Sequence, residues 1–389
     1  MSRIARRALP RAVIALGVVS LLTDVSSEMI YPLLPLFVAS TVAGGAFAVG
    51  LIEGVAETTA SLVRLASGAL SDRMPRRKPL LLIGYGLAGA ARPLIGLARI
   101  WPVVLFLRFA DRVGKGLRGP PRDALIADAV SGDVRGRAFG LHQAMDNAGA
   151  VVGPLCAAAL LGLGLQLRGV FLAAAVPAVA VMAVLFFGVA EPERAARAAP
   201  QGGATEPARV GGDFRRLLVA SVLFTLGNST DAFLLLRLGR AGLGPEQVAV
   251  LWSLHNVVKM VAAYLGGRAS DTLSRRTLLL AAWLLYAIVY LLFALLTAPA
   301  ALVAVFLAYG LTLGIGEPVQ KAWTTDLVPP ERRGAAFGWL NGAVGLAALP
   351  ASAVFGLIWQ WQGPALAFEV GAGLAVAAAL ALFRVGRGA

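Results

Sequence analysis

Apolar residues in this chain fall in long unbroken blocks, not in short alternating stripes. Residues 13–22, 80–91, 170–189, 278–296 and 366–383 are each built mostly from Leu, Ala, Val, Gly and Phe. Blocks of roughly 20 such residues match the hydrocarbon thickness of a bilayer crossed as a helix. Lipid offers no hydrogen-bond partner to backbone N–H and C=O groups, so each segment must satisfy its own, which a helix does. The pattern predicts spans near 11–39, 47–71, 79–98, 102–128, 136–162, 169–189, 215–238, 246–269, 277–296, 299–327, 334–360 and 365–384. The expected fold class is an all-α membrane protein of twelve transmembrane helices.

Composition agrees with the pattern. Hydrophobic residues make up 58% of the 389 and charged residues only 14%, with a mean hydropathy of +0.76. A soluble domain of this length needs more charged surface than that. The single cysteine, Cys156, excludes an internal disulfide and a thiolate cluster, and two histidines argue against a His-rich metal site.

A net charge of +14 would suggest nucleic acid in a soluble protein; here its placement speaks of orientation instead, and no nucleic-acid partner is expected. Arg3, Arg6, Arg7 and Arg11 lie at the N-terminus. Arg73, Arg76, Arg77 and Lys78 follow span 2, Arg135 and Arg137 follow span 4, and Arg194, Arg197, Arg209, Arg215 and Arg216 follow span 6. Arg275 and Arg276, Arg332 and Arg333, and Arg384 and Arg387 continue the series. The opposite loops hold little beyond Arg99, Arg168 and Arg240. Under the positive-inside rule both termini are cytoplasmic, in a bacterial-type inner membrane. The basic start resembles a signal peptide, but its apolar run continues through Pro32 and Pro35 to about Val38 with no evident cleavage site. Trp101, Trp359 and Trp361 fit interfacial anchors on the outer side.

Residues 191–212, rich in Ala, Pro, Gly and Arg, read as a linker near mid-chain. The expected domains are a six-helix bundle over 1–190, a cytoplasmic linker over 191–214 and a second bundle over 215–389. The halves repeat at a period of about 200 residues. Gly68-Ala-Leu-Ser-Asp72-Arg-Met-Pro-Arg76-Arg77 aligns with Gly267-Arg-Ala-Ser-Asp271-Thr-Leu-Ser-Arg275-Arg276. Asp128, Arg135 and Ala138-Phe139-Gly140 align with Asp326, Arg333 and Ala336-Phe337-Gly338. An even number of spans per half makes the repeats parallel.

The segment from Gly68 to Arg77 resembles the G-x-L-x-D-R-x-G-R-R signature of the major facilitator superfamily, through Gly68, Leu70, Asp72, Arg73, Arg76 and Arg77, with Pro75 replacing the second glycine. Asp72 closes a helix at the basic face, where it can pair with an arginine or a helix N-terminus as a conformational latch, repeated at Asp271 and Arg275. Arg112-Val-Gly-Lys115-Gly116 resembles the R-x-x-Q-G element of proton-coupled members. Gly149-Ala-Val-Val-Gly153-Pro154 resembles the G-x-x-x-G-P element of the drug:proton antiporter branch. Glycines four apart allow close helix contact, and Pro154 makes a bend point.

Polar stripes inside the spans carry the candidate mechanism. Ser20, Asp24, Ser27, Glu28 and Tyr31 share one face of span 1; Glu53, Glu57 and Arg64 share one face of span 2. Span 4 lines up Arg108, Asp111, Arg112, Lys115, Arg118 and Arg122. Spans 7, 8 and 10 add Asn228 and Asp231, then His255, Asn256 and Lys259, then Glu317 and Lys321. An ionisable group at the bilayer centre costs at least about 2.5 kcal/mol, so these groups face one another or a wet cavity. The acids of spans 1 and 2 are expected to offset the basic span 4. Neighbouring, partly desolvated carboxylates suit a proton carrier. In the antiporters that the chain resembles, an acid of span 1 often has that role, which the resemblance gives to Asp24, then Glu28 and Glu57, with Asp231 as counterpart. Tyr31, Glu53, Arg108, Asp111, Arg112, Lys115, Arg118, Asn228, His255, Asn256, Lys259 and Glu317 are the candidates for binding substrate.

Gly84-Tyr-Gly86-Leu-Ala-Gly89 and Gly114-Lys-Gly116-Leu-Arg-Gly119 satisfy a dinucleotide pattern, yet neither follows a strand. There is no catalytic constellation, so no enzyme and no cofactor are expected; the proton gradient is the energy source. Export of a small organic compound by a monomer is the primary expectation. The alternative is uptake of a small anionic solute or metal complex, drawn by Arg108, Arg112, Lys115 and Arg118.

Overall fold

The structure is a computed structural model and describes residues 9–74, 76–130, 134–189, 211–270, 272–329 and 332–386. The first predicted span is helix α1 (Arg11–Glu28), a 3₁₀ turn over Tyr31–Leu33 and α2 (Leu34–Ser40). Pro32 and Pro35 lack the N–H that an uninterrupted helix needs there. Next come α3 (Ala46–Arg73), α4 (Lys78–Leu94), α5 (Trp101–Asp128) and α6 (Arg135–Gly162). The sixth segment divides into α7 (Leu167–Ala173) and α8 (Ala175–Ala183). The seventh divides into α9 (Gly212–Gly227) and α10 (Asp231–Arg240), where Thr230 caps α10 by accepting from the Ala232 N–H. Helices α11 (Pro245–Ala269), α12 (Arg275–Leu295), α13 (Pro299–Asp326), α14 (Arg333–Gln362) and α15 (Pro364–Ala381) follow. Pro245, Pro299 and Pro364 open their helices at the position where a missing N–H does no harm.

Among the described residues, eleven segments are long and apolar enough to cross a bilayer. Helix α5 is as long as its neighbours at 28 residues, but it carries eight charged side chains. Charge, not length, sets it apart. It is wedged between α3 and α4, so Arg108, Asp111, Arg112 and Arg118 are buried in protein, whereas Asp123 and Asp128 near its basic end are exposed. The outer faces of the assembly are apolar instead, with Phe106, Val176, Phe187 and Tyr264 all exposed.

Within the first half α1 packs on α6 and α8, and α5 on α3 and α4. Within the second, α9 packs on α14 and α15, α11 on α13, and α12 on α13 and α15. Three seams join the halves: α3 with α14, α6 with α11, and α2 with α10. Along the first seam Thr58 Oγ1 donates to Gly345 O at 2.6 Å, and Gln360 Oε1 accepts from Phe47 N at 3.3 Å. Gly50 has no room for a side chain, because a Cβ would overlap Ser352 O. The linker expected over 191–214 lies outside the described residues up to position 210.

The core is continuous at one end only. Away from the basic loops, a single apolar cluster joins Ile30, Leu33 and Phe37 to Leu234, Leu235 and Leu238, across both halves. Toward the basic loops it separates into one cluster around Leu16, Leu81 and Leu185 and another around Leu217, Trp283 and Trp323. Trp359 corrects an expectation. It is 2% exposed, inside a ring cluster with Phe233, Phe355 and Phe368 and beneath Arg240, and so anchors the closed end of the core, whereas Trp361 is exposed as an interfacial residue would be.

Candidate functional site

The charged stripe of α5 is a buried network. Arg108 forks onto Glu53 of α3, Nε to Oε1 at 3.0 Å and Nη2 to Oε2 at 3.2 Å, and its Nη1 reaches Asp111 Oδ2 at 3.1 Å. Arg92 of α4 donates from Nε to the other oxygen of Asp111 at 2.8 Å and from Nη1 to Thr23 O at 3.1 Å. All four charged side chains are almost fully buried. Ion pairs taken out of water offset their desolvation only when geometry is good and remaining lone pairs are filled, and the two-pronged arginine contact meets that condition. Arg108, expected to face substrate, is thus fully engaged with protein, and it also stacks over the Tyr31 ring at 5.5 Å.

One turn toward the basic end the network loosens. Arg112 lies 3.9 Å from Glu57 and 3.8 Å from Asp111. Its Nε and the Nη1 of Arg118 are buried without a hydrogen-bond partner in the protein. Arg118 stacks on Tyr85 at 4.5 Å. Lys115 is within electrostatic range of Arg112, Glu57 and Asp24. Glu57 is half-exposed although it lies deep in α3, so it borders the gap between the halves.

The two acids of α1 part company. Asp24 faces α6, where a Cβ on Gly149 would stand 2.7 Å from Asp24 Cβ and one on Gly153 would stand 2.9 Å from Glu28 Cβ. The glycine spacing therefore does what close helix contact requires, and α6 continues through Pro154. Asp24 is surrounded by Asp146, Glu28, Arg118 and Lys115. Glu28 crosses to the other half, accepting from Trp252 Nε1 at 2.7 Å, while Tyr31 meets the same indole with centroids 5.1 Å apart. Span 1 thus meets the charges of span 4 through Asp24.

The second half meets this cluster with rings. His255 is stacked among Trp252, Phe306 and Tyr309, and its Nδ1 lies 3.3 Å from Phe306 O. Tyr309 donates to Asp231 Oδ1 at 2.6 Å, and Tyr286 donates to Asn228 Oδ1 at 3.0 Å. Asn256 donates to Ala150 O at 3.2 Å, so it belongs to the α6–α11 seam. Lys259 and Glu317 pair at 3.0 Å, both partly exposed.

At the basic end Arg77 Nη1 holds Asp128 Oδ2 at 2.6 Å and its Nε bonds Ser71 Oγ at 3.1 Å; Arg275 pairs with Asp326 and also donates to Ala322 O at 2.7 Å. Arg275 is therefore equivalent to Arg77 in space, one position from the register that aligning the motifs suggests. The second loop is one residue shorter. Arg73 and Arg76 are exposed there, and Gly68 has ordinary space beside Pro120. Asp271 and the side chain of Asp72 lie outside the described residues.

Several residues of the site escaped the sequence reading: Arg92 and Asp146 within apolar spans, and the ring wall of Trp252, Phe306, Tyr286 and Tyr309. The first two carry a findable signal, an ionisable group inside a predicted span. The rings carry none, since aromatic residues in a span look like core.

Two repeated halves, with charges set inside apolar helices, are the architecture of a membrane transporter. The family model of the Major Facilitator Superfamily matches residues 16–239 and 217–388, and the chain belongs to that family. It is 31% identical over 388 residues to the uncharacterized MFS-type transporter MJ1317 of Methanocaldococcus jannaschii, covering 97% of this chain and 95% of that protein. A shorter likeness, 29% over 133 residues, covers 34% of this chain and 33% of the multidrug resistance protein MdtH of Salmonella paratyphi B. A bacterial homologue of the human lysosomal transporter Spinster, solved inward-facing and occupied, superposes with a TM-score of 0.80 at 16% identity, over 97% of this chain and 96% of that one.

Proposed function

We propose that this protein exports a small organic compound in exchange for protons, its two six-helix bundles rocking about a site at their interface. The carrying observation is the Asp24 carboxylate, set in mid-span against glycines of α6 and between acidic and basic neighbours. A group so balanced changes its charge when either neighbour moves. In this reading α5 is the twelfth span, its buried charges covered by α3 and α4. The basic loops face the cytoplasm with both termini, the membrane is a bacterial-type inner membrane, and the parted core is an inward-open state. One chain holds the whole pathway, as a monomer. Cargo binding at the ring wall and protonation of Asp24 compete, so each returns the carrier for the other. Glu28 and Glu57 modulate that exchange. The partial likeness to a multidrug resistance protein supports the direction.

A second reading, uptake of a small anion, is favoured by Arg112 and Arg118, whose buried donor atoms lack protein partners. Inside-out membrane vesicles with an imposed proton gradient separate the two. Lipophilic cations, neutral drugs and organic anions are added in turn while internal pH is followed. Compound-triggered proton leak that vanishes in Asp24→Asn is the outcome expected for export. No leak with any compound, together with labelled anions accumulating in intact cells and lost in Arg112→Ala, establishes uptake.

A further inference from the structure

Between α1, α5 and α6, on the basic-end side of Asp24, lies a polar cluster that the transport reading leaves unused. His142 is 5% exposed, and neither ring nitrogen has a hydrogen-bond partner. Its Nδ1 is 3.4 Å from Asp146 Oδ1, one helical turn along α6 and short of a formed bond. Asp146 accepts from the hydroxyl of Ser20, and Ser20 precedes Asp24 by one turn on the same face of α1, where side chains are neighbours. Arg122 Nη1 donates to Ser20 Oγ at 3.4 Å, and its Nε bonds Asp123, a half-exposed carboxylate.

We infer that His142, Asp146 and Ser20 form a relay that carries protons between Asp24 and the water at the basic end. The inference rests on Asp24 exchanging protons, as proposed above. In the releasing direction Asp24 gives its proton to Ser20 Oγ as Ser20 passes its own to Asp146. Asp146 hands it to His142 Nδ1; Nε2 is shut off from solvent in this state, so the imidazolium loses its Nε2 proton to water once the ring swings toward the basic end. One proton enters and one leaves, and the ring then exchanges tautomers to regain its starting form. Loading runs the same steps backwards.

Three observations favour a relay over a packing role. A buried imidazole with both nitrogens unbonded is disfavoured for folding alone. The equivalent positions of the second repeat for His142 and Asp146 are Leu340 and Val344, so the helix crossing itself needs no polar group at those two, whereas Gln320, at the position of Arg122, still donates to Ser221 Oγ at 2.7 Å. The charged neighbours also bracket the path. Asp24 and Glu28 lie on α1, Lys115, Arg118, Arg122 and Asp123 on α5, and Tyr85 on α4 adds a hydroxyl beside Arg122. Arg122 and Asp123 keep the outer end near neutrality, so a proton can pass without stopping.

The test uses purified full-length protein in detergent micelles, stepped between two pH values while the infrared carboxyl band is followed in time. The Asp24 contribution is the part lost in Asp24→Asn. His142→Gln and Asp146→Asn should each slow its appearance at least about tenfold without changing its final size, and added imidazole should restore the rate. Ser20→Ala is a third, sterically mild cut with the same expectation, should either larger change impair folding. Unchanged rates, or slowing that imidazole does not rescue, overturn the relay while leaving Asp24 as the carrier. A carboxyl band unaffected by Asp24→Asn removes Asp24 itself, and with it the coupling reading as well as the relay.

Discussion

Glu53 and Arg108 meet in the first half as a buried, two-pronged ion pair; the equivalent positions of the second half, Trp252 and Phe306, meet as two rings 6.3 Å apart. The substitution of chemistry continues around them. Asp111 corresponds to Tyr309 and Arg92 to Tyr290, so where an arginine holds a carboxylate in one half, Tyr286 bridges two tyrosines in the other, at centroid distances of 4.3 and 5.9 Å. The helices cross alike in both halves. The crossing can therefore be stabilised either by charges that need complete satisfaction or by ring packing that needs only shape. The charged half offers ionisable groups, and the ring half offers a polarisable wall with few formal charges. Such a wall suits apolar or cationic compounds, and Tyr309 ties Asp231 to it.

This contrast can be broken from either side. Arg108→Leu alone should show the largest effect, a loss of about 3–5 kcal/mol, because Glu53 and Asp111 are left buried without their partner. Glu53→Leu combined with Arg108→Leu should recover most of that loss, and unfolding midpoints in detergent measure both. If the double variant is no better than the single one, the ion pair is not the unit that matters. Phe306→Ala should cost about 3 kcal/mol through lost ring packing, with no rescue from a second change at Trp252. The smallest effect belongs to Lys259→Met at the half-exposed pair with Glu317, under about 1 kcal/mol, since water screens it. A larger loss there would mean the gap between the halves is drier than its exposed carboxylates imply.

Much of the architecture is legible in the sequence because a bilayer allows few alternatives: long apolar blocks must become helices that satisfy their own backbone. The charged stripes of α3 and α5 are legible for the same reason. Their pairing is not. Spacing places Arg108 and Arg112 on one face of α5, yet Arg108 is locked by Glu53 and Asp111 whereas Arg112 is left nearly 4 Å from its acids, a difference set by where α3 and α4 approach. Glu28 reads as a partner for α5 and instead reaches Trp252 in the other half, a contact set by how the halves close. Trp359 reads as an interfacial anchor, and only the fold shows it enclosed by Phe233, Phe355 and Phe368.

The most direct test of the division between a charged, proton-handling half and a ring-lined, cargo-handling half is the ratio of protons to cargo moved in reconstituted vesicles. With the export cargo that the vesicle panel identifies, Asp24→Asn should lose proton movement while still exchanging labelled cargo for unlabelled. Asp231→Asn should keep the proton-to-cargo ratio and raise the cargo concentration needed for half-maximal flux. Loss of proton movement in Asp231→Asn, with coupling intact in Asp24→Asn, would contradict the account by placing the proton site in the other half.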